Sequence, residues 1–116
     1  LKALNAIVHP EVANDFQSFL QAQNAPYVIY ESALLFETDS NKNCDEVVLV
    51  TAPTAVKIER IQKRDLVSEV EIFARMNNQM TDSEKTPLAD YVLENTTLES
   101  LEQQVLSLHQ LFVKDL

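Results

Sequence analysis

Arg60, Arg64 and Arg75 are the only arginines in the chain, and all three fall within one 16-residue window. The stretch Lys57-Ile58-Glu59-Arg60-Ile61-Gln62-Lys63-Arg64 is locally +3 in a chain whose net charge is −9. On a helix, Lys57, Arg60 and Arg64 stand at i, i+3 and i+7 and share one face. Guanidinium forks bind phosphate oxygens bidentately and stay charged at any working pH. The pattern therefore reads in two ways: an anion-attracting site, or a solvated basic helix face. Glu31 and Glu37 could pair as acid and base, but their spacing across a strand end is not diagnostic. Cys44 is the sole cysteine, with no second Cys or His close to it in sequence, and reads as structural. His109 carries no assignment.

The chain contains no glycine. A typical protein of this length would hold about eight. Backbone N–H groups close around phosphate only where no Cβ intervenes and φ can turn positive. The chain therefore holds neither a Walker A loop nor a GxGxxG turn.

At 116 residues and 46% hydrophobic content, the chain fits one α/β domain over residues 1–116. No apolar run approaches the roughly 18 residues of a membrane span. The acidic balance argues against nonspecific nucleic-acid binding, which needs Lys and Arg on phosphates. The cysteine usage and the absence of a secretory pattern in the first residues point to the cytoplasm.

Elements that could position the arginines follow from local pattern. His9-Pro10-Glu11 reads as a helix start, with apolar Val12, Phe16, Phe19 and Leu20 at helical spacing, ending by Asn24 ahead of Pro26. Tyr27–Tyr30, Glu46–Ala52 and Tyr91–Leu93 read as strands. The apolar, β-branched centre of the second suits a strand buried on both faces of a parallel sheet. Pro53-Thr54 opens a helix to about Arg64. Ser68 with Glu71 opens another to about Met80, and Thr96 with Glu99 opens the last, each in a capping-box pattern. Residues 81–87 read as a polar loop. The stripe Leu98, Leu101, Val105, Leu108, Phe112 reads as core packing. The order implies an α/β layer with a mostly parallel sheet flanked by helices, and the arginine-bearing helices, about 57–80, project as a lid.

Six segments in order resemble one family: His9-Pro10; Glu31 to Glu37; Val47 to Val50; Glu59 to Asp65; Ala74 to Met80; and Ala89 to Asn95. Together they strongly resemble dephospho-coenzyme A kinase, across essentially the whole chain, as the C-terminal part of that family's sequence. The resemblance implies a P-loop kinase fold, of which this chain is a part whose phosphate loop lies upstream of Leu1. It implies transfer of the ATP γ-phosphate to the ribose 3′-hydroxyl of dephospho-CoA, the last step of coenzyme A synthesis, with Mg2+ accompanying ATP. It places His9, Pro10, Leu35 and Glu37 on the dephospho-CoA side, makes Arg60, Arg64 and Arg75 lid arginines on phosphate, and puts Asn95 near the adenine. No residue here is assigned to metal, and no tightly bound cofactor is expected in this chain alone. Two positions depart from the family: Ala33, where proline is usual, and Thr96-Thr97, where a glycine is frequent. The isolated chain is expected to be inactive and to self-associate as a homo-oligomer. The alternatives are a non-enzymatic binding or oligomerising module on a kinase-like framework, or another small-metabolite P-loop kinase.

Overall fold

The computed structural model describes residues 2–114. The chain divides into two compact units, one running to Glu31 and the other beginning at Ser32.

In the first unit, helix α1 spans Lys2–Gln21 and carries Pro10 inside it. The helix thus begins well upstream of the expected His9-Pro10 start. Proline removes one i→i−4 hydrogen bond but does not stop a helix whose preceding residues favour it, and Lys2, Ala3, Leu4 and Ala6 are strong helix formers. Its end agrees with the expectation: the Ala22 and Gln23 N–H groups donate to Ser18, Phe19 and Leu20 carbonyls at 3.2 Å, and regular helix ceases ahead of Pro26. Residues 27–30 form no strand. A β-type run becomes a strand only beside a partner, and none pairs with it among the described residues. Tyr30 instead packs on α1, its ring 4.9 Å from that of Phe16, while Ile29 remains 80% exposed.

In the second unit, β1 (Val48–Thr51) and β2 (Tyr91–Glu94) pair in parallel, with Val48 opposite Tyr91 and Thr51 opposite Glu94. Asp90 starts this ladder. Its carboxylate accepts from the Val47 N–H at 2.7 Å, and its own N–H donates to the Val47 carbonyl at 2.9 Å. The Asn95 N–H closes the ladder on the Thr51 carbonyl at 2.7 Å. Between the strands run α2 (Thr54–Asp65), α3 (Glu69–Asn77) and a short α4 (Asp82–Lys85), followed by a 3-10 turn over Thr86–Leu88. The segment expected as a polar loop therefore contains a helical turn. Thr81 and Glu84 form a full capping box there, which fixes four residues that propensity alone would leave irregular. At α3, Ser68 accepts from the Glu71 N–H at 3.3 Å, as its spacing predicts.

Helix α5 (Leu98–Lys114) follows β2. Thr97, not Thr96, caps it: the Thr97 hydroxyl accepts from the Ser100 N–H at 3.2 Å. Gln104 on α5 takes the place of a strand neighbour. Its amide accepts from the Glu94 N–H and donates to the Glu94 carbonyl, both at 2.9 Å. Tyr91 and Phe112 meet edge to face at 5.4 Å. The apolar stripe of α5 is only half covered, since Leu98 and Val105 are exposed. Among the described residues, Val47 and Ile72 are the buried hydrophobic side chains, and of these Ile72 is fully enclosed.

Candidate functional site

The C-terminal ends of parallel strands are where α/β sheets collect ligands. Here those ends carry Thr51 and Asn95, with α2 rising directly from Pro53. A cavity of about 220 Å³ sits there, lined by Val50, Thr51, Ala52, Lys57, Arg60, Ile61 and Asn95. A larger one of about 520 Å³ lies between β2 and α5, but no charged side chain lines it. Of the two, the smaller cavity carries cationic side chains, Lys57 and Arg60.

The three arginines divide into two groups. Arg60 lies across the end of β2: Nη1 donates to the Asn95 carbonyl at 2.7 Å and Nη2 to the Thr96 carbonyl at 3.0 Å. It thereby ties α2 to the turn before α5. Arg64 and Arg75 converge instead on one carboxylate. Arg64 grips Asp65 in a two-point fork, Nε to Oδ1 at 2.8 Å and Nη2 to Oδ2 at 2.9 Å. Arg75, ten residues on and in another helix, donates from Nη1 to the same Oδ2 at 3.1 Å. The Arg64 hydrogen bond above all, then Arg75, holds the Asp65 carboxyl down to about 2, well below its ordinary value. The carboxylate thus stays charged throughout the physiological range. Its contribution to joining the helices is complete above the ordinary carboxylate range and is lost only as pH falls through about 2. The same partner raises the Arg64 guanidinium further.

This geometry depends on a tight turn between the two helices. Leu66 ends α2 in the left-handed conformation, φ 53° and ψ 39°, with its N–H on the Gln62 carbonyl at 2.9 Å. Glycine usually fills such a position, and a Cβ there costs roughly 1–2 kcal/mol. The reversal brings α3 back along α2, where Ile72 is buried and Arg75 reaches Asp65.

A second set of charges runs through α4. Lys57 donates to Asp82 on its first turn. One turn later Lys85 meets Glu37 at 3.5 Å, with only 13% and 17% of the two side chains exposed. The short helix is therefore a strut between α2 and the turn over residues 33–39. Glu37 points into this pair, and both its oxygens are buried without a hydrogen bond. Leu35 is half-buried in the same turn, where its carbonyl accepts from the Ser40 N–H at 2.9 Å. Pro10 is exposed on α1, in the first unit; His9 shares that helix, and its side chain lies outside the described part.

The structure therefore brings Arg64 to Arg75 and Arg60 to Asn95, and sets Glu37 against Lys85. Sequence reasoning missed Asp65, Asp82 and Lys85. Asp65 had a signal, a carboxylate immediately after the second arginine, but its link to Arg75 depends on the angle between two helices. The Thr81-x-x-Glu84 box would have announced the helix that carries Asp82 and Lys85.

A family model described as Dephospho-CoA kinase matches residues 1–100, which include all three arginines and Asn95. A protein of Leptospira interrogans named dephospho-CoA kinase is 39% identical over 111 residues, covering 94% of this chain and 54% of the relative. One of the same name from Thermus thermophilus is 41% identical over 104 residues, covering 89% and 51%. A crystal structure of a Thermus thermophilus protein superposes with a TM-score of 0.85 at 38% identity, over 94% of this chain and 58% of that one. The chain thus spans about half the length of the curated relatives it matches. Its mixed α/β architecture, with two parallel strands among helices, is that of the solved relative. Fold, ordered motifs and sequence identity together show that this chain belongs to the dephospho-CoA kinase family.

Proposed function

We propose that this chain supplies the lid and the adenine-side strand ends of an ATP-dependent dephospho-CoA kinase with a P-loop fold. In the complete enzyme the γ-phosphate of ATP passes to the ribose 3′-hydroxyl of dephospho-CoA. The observation that carries this reading is the convergence of Arg64 and Arg75 from two helices onto one carboxylate. Two guanidiniums held side by side, 71% and 55% exposed, offer many free N–H donors to an incoming phosphate. Arg60 and Asn95 border a cavity with apolar walls at Val50, Ala52 and Ile61, which suits a purine ring. By the family resemblance, Leu35 and Glu37 of the second unit, and separately His9 and Pro10 of the first, are the candidates for contact with dephospho-CoA. The turn at Leu35 is then placed through Glu37 and Lys85 rather than by contact of Glu37 with ligand. Mg2+ bound with ATP would neutralise phosphate charge.

Arg64→Lys in the complete kinase tests this. Lysine keeps the charge but loses the fork, so turnover is expected to fall about ten- to a hundredfold. The melting temperature should stay within about 2 °C, because surface substitutions rarely move stability by more than ~0.5 kcal/mol. Wild-type turnover would place Arg64 on a merely solvated face.

Self-association of the isolated chain belongs to the same reading. β1 and β2 pair only with each other among the described residues, while Val50, Val92, Leu98 and Leu106 stand 51%, 41%, 70% and 56% exposed. Open strand edges and clustered apolar surface favour pairing with another copy. The net charge of −9 opposes it, but screening over roughly 8 Å at physiological salt weakens that opposition. Light scattering at micromolar concentration should give at least twice the monomer mass; a clean monomer would sink the expectation.

A further inference from the structure

We infer that Asp65 is a positioning residue for phosphate binding: its carboxylate holds the Arg64 and Arg75 guanidiniums together as a preformed pair. The inference rests on the reading of Arg64 and Arg75 as phosphate contacts, and adds a carboxylate that no phosphate would itself attract.

The geometry is specific. Asp65 ends α2, Arg64 is its neighbour in sequence, and Arg75 arrives from the last turn of α3. The fork from Arg64 uses both carboxylate oxygens, and Arg75 shares Oδ2. With 28% of its side chain exposed, Asp65 is more enclosed than either arginine. Two guanidiniums this close would repel each other and swing apart without the charge between them. With it, three N–H groups are engaged and the remaining donors of both forks stay open to solvent.

Two effects of removing the carboxylate oppose each other, and their sizes decide the sign. Deleting an exposed counter-charge would strengthen anion binding by less than about fivefold, because exposed pairs are weak. Freeing two long side chains would make the ligand order each of them, at about two- to tenfold in affinity apiece. Mutual repulsion adds to that cost. Asp65→Asn should therefore weaken phosphate binding even though it makes the chain more positive. A carboxylate that merely competes for the arginines would give the opposite sign.

The test is a titration of the 116-residue chain with inorganic tripolyphosphate, following the arginine Nε–H resonances by NMR. Wild type is expected to bind in the millimolar range, with Arg64 and Arg75 shifting. Arg64→Ala and Arg75→Ala should each lose most of that affinity. Asp65→Asn should lose about tenfold with unchanged helical content, and Asp65→Glu, which restores the charge on a longer arm, should recover part of it. Equal or tighter binding by Asp65→Asn, with the arginine variants impaired, overturns the positioning role and leaves the phosphate reading standing. No binding by wild type, or no loss in the arginine variants, overturns the phosphate reading and the inference with it.

Discussion

Incubated with ATP, Mg2+ and dephospho-CoA, the 116-residue chain alone is expected to form no coenzyme A. Phosphoryl transfer asks little covalent chemistry of a protein; it needs the phosphates cradled, the nucleophile aligned and the developing charge neutralised. On the proposed reading, this chain can supply the last through Arg64 and Arg75. It cannot supply the first, because a cradle of backbone N–H groups needs glycine and the sequence has none. Loss of an arginine that neutralises the transition state already costs about 10³–10⁵ in rate. Loss of the cradle together with its lysine should cost at least as much, which puts turnover below detection. A radiolabelled γ-phosphate assay is the measurement. Product formation that disappears in Arg64→Ala would overturn the expectation and require a phosphate site built without glycine.

What could be read from the sequence follows from the range of the forces involved. The two paired strands were legible because their signal is local: β-branched runs bounded by turn residues, with Asp90 and Asn95 at the ends of the second. The arginine-bearing helices were legible from Pro53 and from the Ser68 cap, each acting within a few residues. Tyr27–Tyr30 shows where that logic stops, since its composition suits a strand but strand formation depends on a neighbour. Pro10 shows a local rule overridden, because one missing hydrogen bond weighs little against a helix already propagating from upstream. At the site, the arginines were legible as residue types, but their grouping was not. Arg60 shares a helix face with Arg64 in the sequence pattern, yet its guanidinium is drawn off to the carbonyls of Asn95 and Thr96. Arg75 joins Arg64 only because Leu66 turns the chain back on itself.

Helix α3 carries one buried side chain, and its removal should have the largest effect on stability. Ile72 is 0% exposed in a chain with only one other buried hydrophobic residue, Val47, among those described. Ile→Ala in such a position costs about 2–5 kcal/mol in lost transfer energy and cavity. Total stability for a chain of this length is roughly 6–17 kcal/mol, and so thin a core argues for the low end. Ile72→Ala should therefore lower the melting temperature by about 10 °C or more, and Ile72→Val by a few degrees. Val70, 79% exposed on the same helix, is the control; Val70→Ala should change stability by less than ~0.5 kcal/mol. A melting temperature for Ile72→Ala within 2 °C of wild type would show that α3 is not held by this contact. The functional consequence is selective. Arg75 lies one turn beyond Ile72 on α3, whereas Arg64 and Asp65 are neighbours on α2. Loosening α3 should free Arg75 while the Arg64–Asp65 fork survives. In Ile72→Ala below its melting temperature, the Arg75 Nε–H signal should therefore broaden or move toward its free position while that of Arg64 stays in place.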